Sequence, residues 1–207
     1  NPYSSTSGTN NMVQVEAYEY DGNVAGKNGN LTKLTQLVDT SSTNNRVTNY
    51  EYDWRNRRTS LSGELSRFES YTYDNLDRVI KVEQKNGSGG TLIGRQETSF
   101  DNLGRVFRTK VYAVDPSTGS VGNALSNDLW YDARGQTMKT KSAGSSKLTK
   151  STYNGVGWPL KQYQTVDTTD SSYADASSIT ADTVYEQVQF SYDNAGNVVL
   201  VTRRQRF

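Results

Sequence analysis

Short stretches in which apolar and polar residues alternate recur along the chain, each broken by a cluster of turn-forming residues, and their period of two is that of a β-strand. Tyr18 and Tyr20, Tyr50 and Tyr52, Tyr71 and Tyr73, and Phe190 and Tyr192 each fall on one strand face. Every stretch runs into the same local phrase: an aromatic residue, then Asp or Asn, two free positions, and a residue that tolerates positive φ. The instances are Tyr20-Asp21, Tyr52-Asp53, Tyr73-Asp74, Phe100-Asp101, Tyr131-Asp132, Tyr153-Asn154 and Tyr192-Asp193, spaced 21 to 39 residues apart. Repeats of one unit joined by loops of different length have this spacing.

The phrase carries its own geometry. In units two to seven the third residue beyond the acid or amide is Asn56, Asp77, Gly104, Gly135, Gly157 or Gly196, all from the small set that enters the left-handed region cheaply. Asp or Asn opens a type I turn well because its side-chain oxygen accepts from the backbone two residues on, and a left-handed residue closing such a turn is a common hairpin connection. The β-formers that follow, such as Val79-Ile80-Lys81-Val82, Val106 to Tyr112 and Val198 to Thr202, complete the second strand. Unit one departs: Asp21 is followed by Gly22-Asn23-Val24, and the equivalent Gly29-Asn30-Leu31 arrives late, as an insertion in the tip. No segment keeps a helical period. The predicted fold is therefore all-β: consecutive antiparallel hairpins, with residues 1–17 a polar N-terminal segment and 18–207 one array of seven repeats.

Loops at Lys85 to Gly90, Asp115-Pro116-Ser117-Thr118-Gly119 and Asp167 to Asp182 carry the expected breakers, and none has the composition of an inter-domain linker. The chain starts at Asn1 without a signal-peptide pattern and stops inside a predicted strand, and so reads as a processed product or a fragment.

Composition changes the picture in one respect. A hydrophobic fraction of 33% and a mean hydropathy of -0.80 would ordinarily leave too little apolar surface to offset chain entropy. The apolar material, however, is concentrated in 14 Tyr, 5 Phe and 3 Trp, and a buried aromatic removes about 150–250 Å² from water. The expectation is a folded domain with a tyrosine-rich interior built on Tyr20, Tyr52, Tyr73, Phe100, Tyr131, Tyr153 and Tyr192.

The sequences Tyr71-Thr72-Tyr73-Asp74-Asn75-Leu76-Asp77-Arg78-Val79, Phe100 to Val106 and Tyr192 to Val198 resemble the RHS/YD-repeat family, and the resemblance covers roughly residues 18 to 202. It implies hairpins lined up in a sheet that spirals into a hollow shell, as in toxin-complex cocoons and teneurins, secreted or presented at the cell surface. The chain departs from the family in lacking the C-terminal plug that closes such shells. Asp115-Pro116 has a faint likeness to part of that plug but sits between two ordinary repeats, as a Pro-containing turn.

The residue inventory argues against catalysis. With no His and no Cys there is no Ser-His-Asp triad, thiol nucleophile or common zinc ligand set. The carboxylates at Asp21, Asp53, Asp74, Asp101, Asp132 and Asp193, with Asn154, have a complete structural role at their own turns. No phosphate loop or dinucleotide fingerprint occurs. The D-x-x-G spacing matches neither an EF-hand nor the nine-residue calcium repeat, so no cofactor or metal is expected.

Balanced charge, 23 basic against 22 acidic residues, argues against a nucleic-acid partner, and no apolar run approaches the roughly 20 residues that cross a bilayer. The expected partners are neighbouring repeats of the same or a longer chain, self-association through open sheet edges, an enclosed polypeptide or a surface glycan. The function these readings favour is a non-catalytic structural module of an extracellular shell or surface assembly. The alternative is a carbohydrate-binding adhesive that uses exposed aromatics and the 167–182 loop, for which Trp54, at a free turn position, is the candidate contact residue.

Overall fold

The structure, a computed structural model, describes residues 12, 14–38, 44–64, 66–166 and 173–206; most of the polar segment expected over 1–17 lies outside them. Fourteen strands follow one another in sequence order in one antiparallel sheet. They are β1 (Glu16–Tyr20), β2 (Leu31–Gln36), β3 (Arg46–Tyr52), β4 (Arg58–Ser62), β5 (Arg67–Tyr73), β6 (Val79–Asn86) and β7 (Leu92–Phe100), then β8 (Val106–Val114), β9 (Val121–Tyr131), β10 (Thr137–Lys141), β11 (Lys147–Tyr153), β12 (Pro159–Val166), β13 (Thr183–Tyr192) and β14 (Val198–Gln205). A four-residue helix, α1 (Tyr173–Ala176), and a 3-10 turn at Asp21–Asn23 lie among the described residues. The chain divides into two compact units, residues 1–95 with 114–122 and residues 96–113 with 123–207, where the sequence reads as one array.

Each aromatic-acid phrase lies at a hairpin tip, and six of the hairpins carry a device the alternation does not announce. Tyr52 pairs with Arg58 while Glu51 pairs with Ser60, so Thr59 is an extra residue. The same shift leaves Thr32, Ile80, Met138, Leu160 and Val199 unpaired beside Tyr20, Tyr73, Tyr131, Tyr153 and Tyr192. This is a β-bulge six residues beyond the turn acid, or at its equivalent in the first hairpin, and it bends the strand and raises its twist.

Register between successive hairpins is equally regular. The residue seven beyond the acid stands opposite the residue three before the next tyrosine: Ser60 with Ser70, Lys139 with Lys150, and Lys161 with Gln189. Lys33 opposite Asn49 is the same pairing once the insertion after Asp21 is allowed for. Four of the tyrosine hydroxyls lie over the preceding hairpin and donate to the carbonyl five residues beyond that hairpin's acid or amide. The bonds run from Tyr73 to Arg58 at 2.7 Å, Tyr131 to Val106 at 2.7 Å, Tyr153 to Thr137 at 2.9 Å and Tyr192 to Pro159 at 2.8 Å. Phe100, with no hydroxyl, carries no bond of this kind.

The interior differs from the expected tyrosine core. Tyr20 is 53% exposed, and the other six aromatics of the phrase are half-buried, because they lie across the neighbouring tip and not beneath the sheet. Leu148, Ala176, Thr165, Lys139 and Lys150, all in the second unit, are at most 2% exposed, and Tyr163 is also buried. Pairing puts Lys139, Lys150 and Tyr163 in one cross-strand row.

Tyr131→Phe is expected to lower stability by about 1 kcal/mol, the net worth of one hydrogen bond, read as the urea midpoint. Phe100→Tyr, on an aromatic without such a bond, serves as the comparison, and an unchanged Tyr131→Phe midpoint would remove the hydroxyl from the account.

Candidate functional site

The hairpin tips are where the chain concentrates its polar chemistry. At each tip of units two to seven, Oδ1 of the acid or amide accepts from the backbone N–H groups two and four residues on. Asp74 does so with Leu76 (2.9 Å) and Arg78 (3.0 Å), Asp101 with Leu103 and Arg105 (both 2.9 Å), and Asp132 with Arg134 (2.9 Å) and Gln136 (2.8 Å). Asp53, Asn154 and Asp193 repeat the pattern. Two backbone bonds close the loop: the acid N–H donates to the carbonyl four residues on, and the N–H three residues on donates back to the acid carbonyl. In unit one Asp21 holds Gly29 and Asn30 through both carboxylate oxygens, at 2.7 and 2.9 Å, so Asn30 occupies the fourth position and the intervening residues are the insertion.

The third residue has positive φ at every one of these six tips, from 62° at Asn56 and Asp77 to 98° at Gly157. Asn56 and Asp77 show that the backbone alone does not demand glycine. The neighbour does. A Cβ on Gly196 would stand 2.5 Å from the Trp158 ring, and one on Gly157 would stand 2.9 Å from Gln136 Nε2.

These approaches belong to a ladder that joins successive tips within each of the two units. The side chain four beyond the acid reaches the residue three beyond the next one. Asn30 donates to Asn56 Oδ1 (3.0 Å), Arg57 to Asp77 Oδ1 (2.7 Å) and Gln136 to the Gly157 carbonyl (2.7 Å). Arg105 lies against Gly135 and donates to the Asp132 carbonyl (3.2 Å), and Trp158 covers Gly196. Arg57 and Arg105 also stack on the next tyrosine, 4.8 Å from the Tyr73 ring and 4.5 Å from the Tyr131 ring, and Trp158 lies 5.0 Å from Tyr192. A guanidinium suits the position because its fork serves the acid, the next carbonyl and the ring face together; Arg57, Arg78 and Arg105 all bond Oδ2 of their own acid, at 2.6–2.7 Å.

This environment sets the titration of the tip acids. At Asp53 and Asp74 partial desolvation is the largest single influence and pulls upward, but bonds from the arginine side chain and from two backbone N–H groups together outweigh it and hold the carboxyls below their ordinary value. Asp101 is held down in the same way, and Asp193 chiefly by its bond from Asn197.

A second cluster lies away from the tips, and nothing in the sequence singled it out. Lys139 and Lys150 face one another across β10 and β11, a like-charge pairing that destabilises a sheet when left bare, and they are 1% and 2% exposed. Segment 173–182 resolves the conflict. Asp175 Oδ2 lies 2.9 Å from both ammonium groups, and Lys150 Nζ also donates to the Ser178 carbonyl (2.7 Å) and Asp182 Oδ1 (3.1 Å). Asp182 Oδ2, 2.8 Å from Lys150 Nζ, is an ion pair without hydrogen-bond alignment. Lys139 also sits 4.9 Å from the Trp130 ring. Of the 167–182 loop named as a contact surface, residues 167–172 lie outside the described residues, and 173–182 is bound down on the sheet.

Two clefts sit under tips of the second unit. One of about 370 Å³ is lined by Asp132, Arg134, Gln136 and Tyr153, the other of about 330 Å³ by Arg105, Arg108, Trp130 and Tyr131. Their charges are already engaged, Arg105 with Asp101 and Arg108 with Asp128. Trp54 is 82% exposed with only the Arg55 guanidinium over its ring. Among the described residues no group of three or more Asp or Glu side chains is placed to hold a metal ion, and no helix is long and apolar enough to cross a membrane.

No protein-family model matches the chain, and no curated protein matches it. Solved structures do. A complex titled TcdB2-TccC3-Cdc42 is 11% identical with a TM-score of 0.44, over 92% of this chain and 13% of that one. TcdB2-TccC3 is 11% identical with a TM-score of 0.42, over 86% and 11%. The Tc holotoxin pore of Photorhabdus luminescens is 11% identical with a TM-score of 0.40, again over 86% and 11%. The likeness is one of fold, and this chain spans about an eighth of the chains it matches.

Asp132→Ala is expected to cost about 1–2 kcal/mol, as loss of a side-chain cap does, whereas Asp132→Asn keeps the acceptor and costs less than about 0.5 kcal/mol, as the native Asn154 suggests; chemical denaturation separates the two. The depressed acids fix the sign of a pH effect. A carboxyl whose folded value lies below its unfolded value of about 4 contributes stability that is present above that pH and lost as pH falls through the folded value. Thermal unfolding is expected to show a midpoint level from neutrality to about pH 5 and falling below about pH 4.

Proposed function

We propose that the chain is a non-catalytic structural repeat module, a strip of antiparallel sheet in the wall of an extracellular shell or surface assembly. The observation that carries this reading is the complete engagement of the tip acids. In units two to seven each Oδ1 is held by two N–H groups of its own turn, and side chains such as Arg57 and Gln136 reach from there to the next tip. A hydrolase would need two carboxylates facing one cleft across about 5–9.5 Å, and acids spent on their own backbones are not free for that work. What the same residues support is propagation: within each unit, hairpins offer the next one a carbonyl, a ring face or a charge.

A repeat of this kind is expected to contact other repeats of the same or a longer chain, and an enclosed polypeptide remains a partner of the shell reading. One observation favours the adhesive alternative, the exposed indole of Trp54 at a tip, since a large amphipathic ring free of the core is an effective contact residue.

Antibodies to this chain are expected to label intact, unpermeabilised producing cells or their medium, and labelling only after permeabilisation would overturn the extracellular placement. In a glycan-array screen no binding above background is expected. A glycan captured by the native chain and lost with Trp54→Ala would transfer the function to the adhesive reading.

A further inference from the structure

The Lys150 ammonium has more oxygens around it than protons to give them. Its three N–H bonds face the Asp175 and Ser178 carbonyls at 3.0 and 2.7 Å, Asp175 Oδ2 at 2.9 Å, and Asp182 Oδ1 and Oδ2 at 3.1 and 2.8 Å. Asp182 thus presents both oxygens of its carboxyl group to one nitrogen. Those two distances together place Nζ within van der Waals reach of the carboxyl carbon, the separation of about 3–3.5 Å that defines a near-attack arrangement. The nearer oxygen, Oδ2, is buried and is not an aligned hydrogen-bond acceptor. Water is kept from the pair: the Lys150 and Asp182 side chains are 2% and 1% exposed. Leu148, two residues before Lys150 on the same strand face, and Ala176, beside Asp175, are buried as well.

We infer that Lys150 and Asp182 condense into a side-chain amide, a covalent crosslink that the folded chain forms without an added reagent. The reaction starts from the ion pair. Asp175 Oδ2 takes one proton from Nζ, and the electron pair left on the nitrogen attacks Asp182 Cγ to form the N–C bond. The two N–H bonds that remain are enough for the Asp175 and Ser178 carbonyls, which hold the nitrogen in place. The nitrogen then gives up a second proton as a C–O bond of the Asp182 carboxyl breaks, and the oxygen leaves with both protons as water. An ammonium and a carboxylate become a neutral amide and one water, with no oxidant, reductant or further reactant. Asp175 ends ionised, as it began, with the Lys139 ammonium 2.9 Å from its Oδ2 as its partner, so the buried charges stay balanced. Holding the two groups together supplies an effective molarity of about 10⁵–10⁸ M, and burial penalises the charged reactants more than the neutral amide. The crosslink fastens the 173–182 segment to β11 across a separation of 32 residues, in a chain that has no cysteine for a disulfide. It concerns this cluster alone and does not depend on the structural-module reading.

Intact-mass spectrometry of the purified 207-residue chain, unfolded in denaturant, is expected to give a mass below that of the sequence by one water. Tryptic mapping is expected to find a branched peptide that joins Lys150 to Asp182, uncut after Lys150. Asp182→Asn keeps the reaction and changes the leaving group: ammonia departs, and the product has the mass of the crosslinked native chain. Lys150→Arg, whose guanidinium keeps the charge but is not a nucleophile, is expected to hold its full sequence mass while its circular dichroism shows a native sheet. Asp175→Asn removes the proton carrier and is expected to be isolated largely at full sequence mass, as a rate loss of about 100-fold would leave it. A native chain at its full sequence mass overturns the crosslink, and leaves the structural-module reading to the cell-labelling test. A water loss that maps to a succinimide within one linear peptide, or that persists in Lys150→Arg, overturns it as well.

Discussion

One side-chain oxygen, bound by two backbone N–H groups of its own turn, sets the geometry on which the rest of this chain depends. With Oδ1 of Asp74 held by the N–H groups of Leu76 and Arg78, the tip has a fixed width, and the tyrosine before it pairs with the residue five beyond the acid. The sixth residue is left over as a bulge. In the Asp53 hairpin the carbonyl beside the equivalent bulge, that of Arg58, faces the following unit, where the Tyr73 hydroxyl meets it. A local hydrogen-bonding preference of Asp and Asn is thereby converted into a rule for stacking hairpins.

The residue four beyond the acid transmits the rule, and its variety is instructive. Arginine, glutamine, asparagine and tryptophan all fill it. Arg57 meets the carboxylate of Asp77, while the Trp158 ring leaves no room for a Cβ at Gly196. At Gly196 the neighbour's bulk therefore adds to the preference that positive φ already gives glycine. Energetically these tip contacts are exposed and modest, so the sheet gains its stability from many repetitions, as expected where each unit touches only its neighbours.

Charge is used differently on the sheet face of the second unit. Two lysines in direct cross-strand opposition would repel, and removing either carboxylate above them would leave a buried cation without a partner. Asp175 and Asp182 therefore tie the connection between β12 and β13 to the sheet. This arrangement also accounts for a low aliphatic content: lysine stems and a tryptophan face fill space that other domains give to leucine, with the ammonium ends held by ion pairs.

The amino-acid sequence by itself determined the class of fold, the place of every hairpin tip and the late-arriving equivalent of the first tip at Gly29-Asn30, because each rests on contacts within a few residues of the chain. The resemblance of Tyr73-Asp74 and its fellows to YD repeats follows from the same local chemistry. What only the tertiary structure decided was everything that needs a second hairpin. The bulges at Thr59 and its counterparts arise from closing the tip against a paired strand, and alternation of residue types does not encode them. The half-buried position of Tyr52, Tyr131 and Tyr192, and the exposure of Tyr20, depend on which tip lies beside each ring, where composition alone pointed to an interior. The pairing of Lys139 and Lys150 with Asp175 and Asp182 joins residues about 30 apart in sequence through strand register, and register is a property of packed strands.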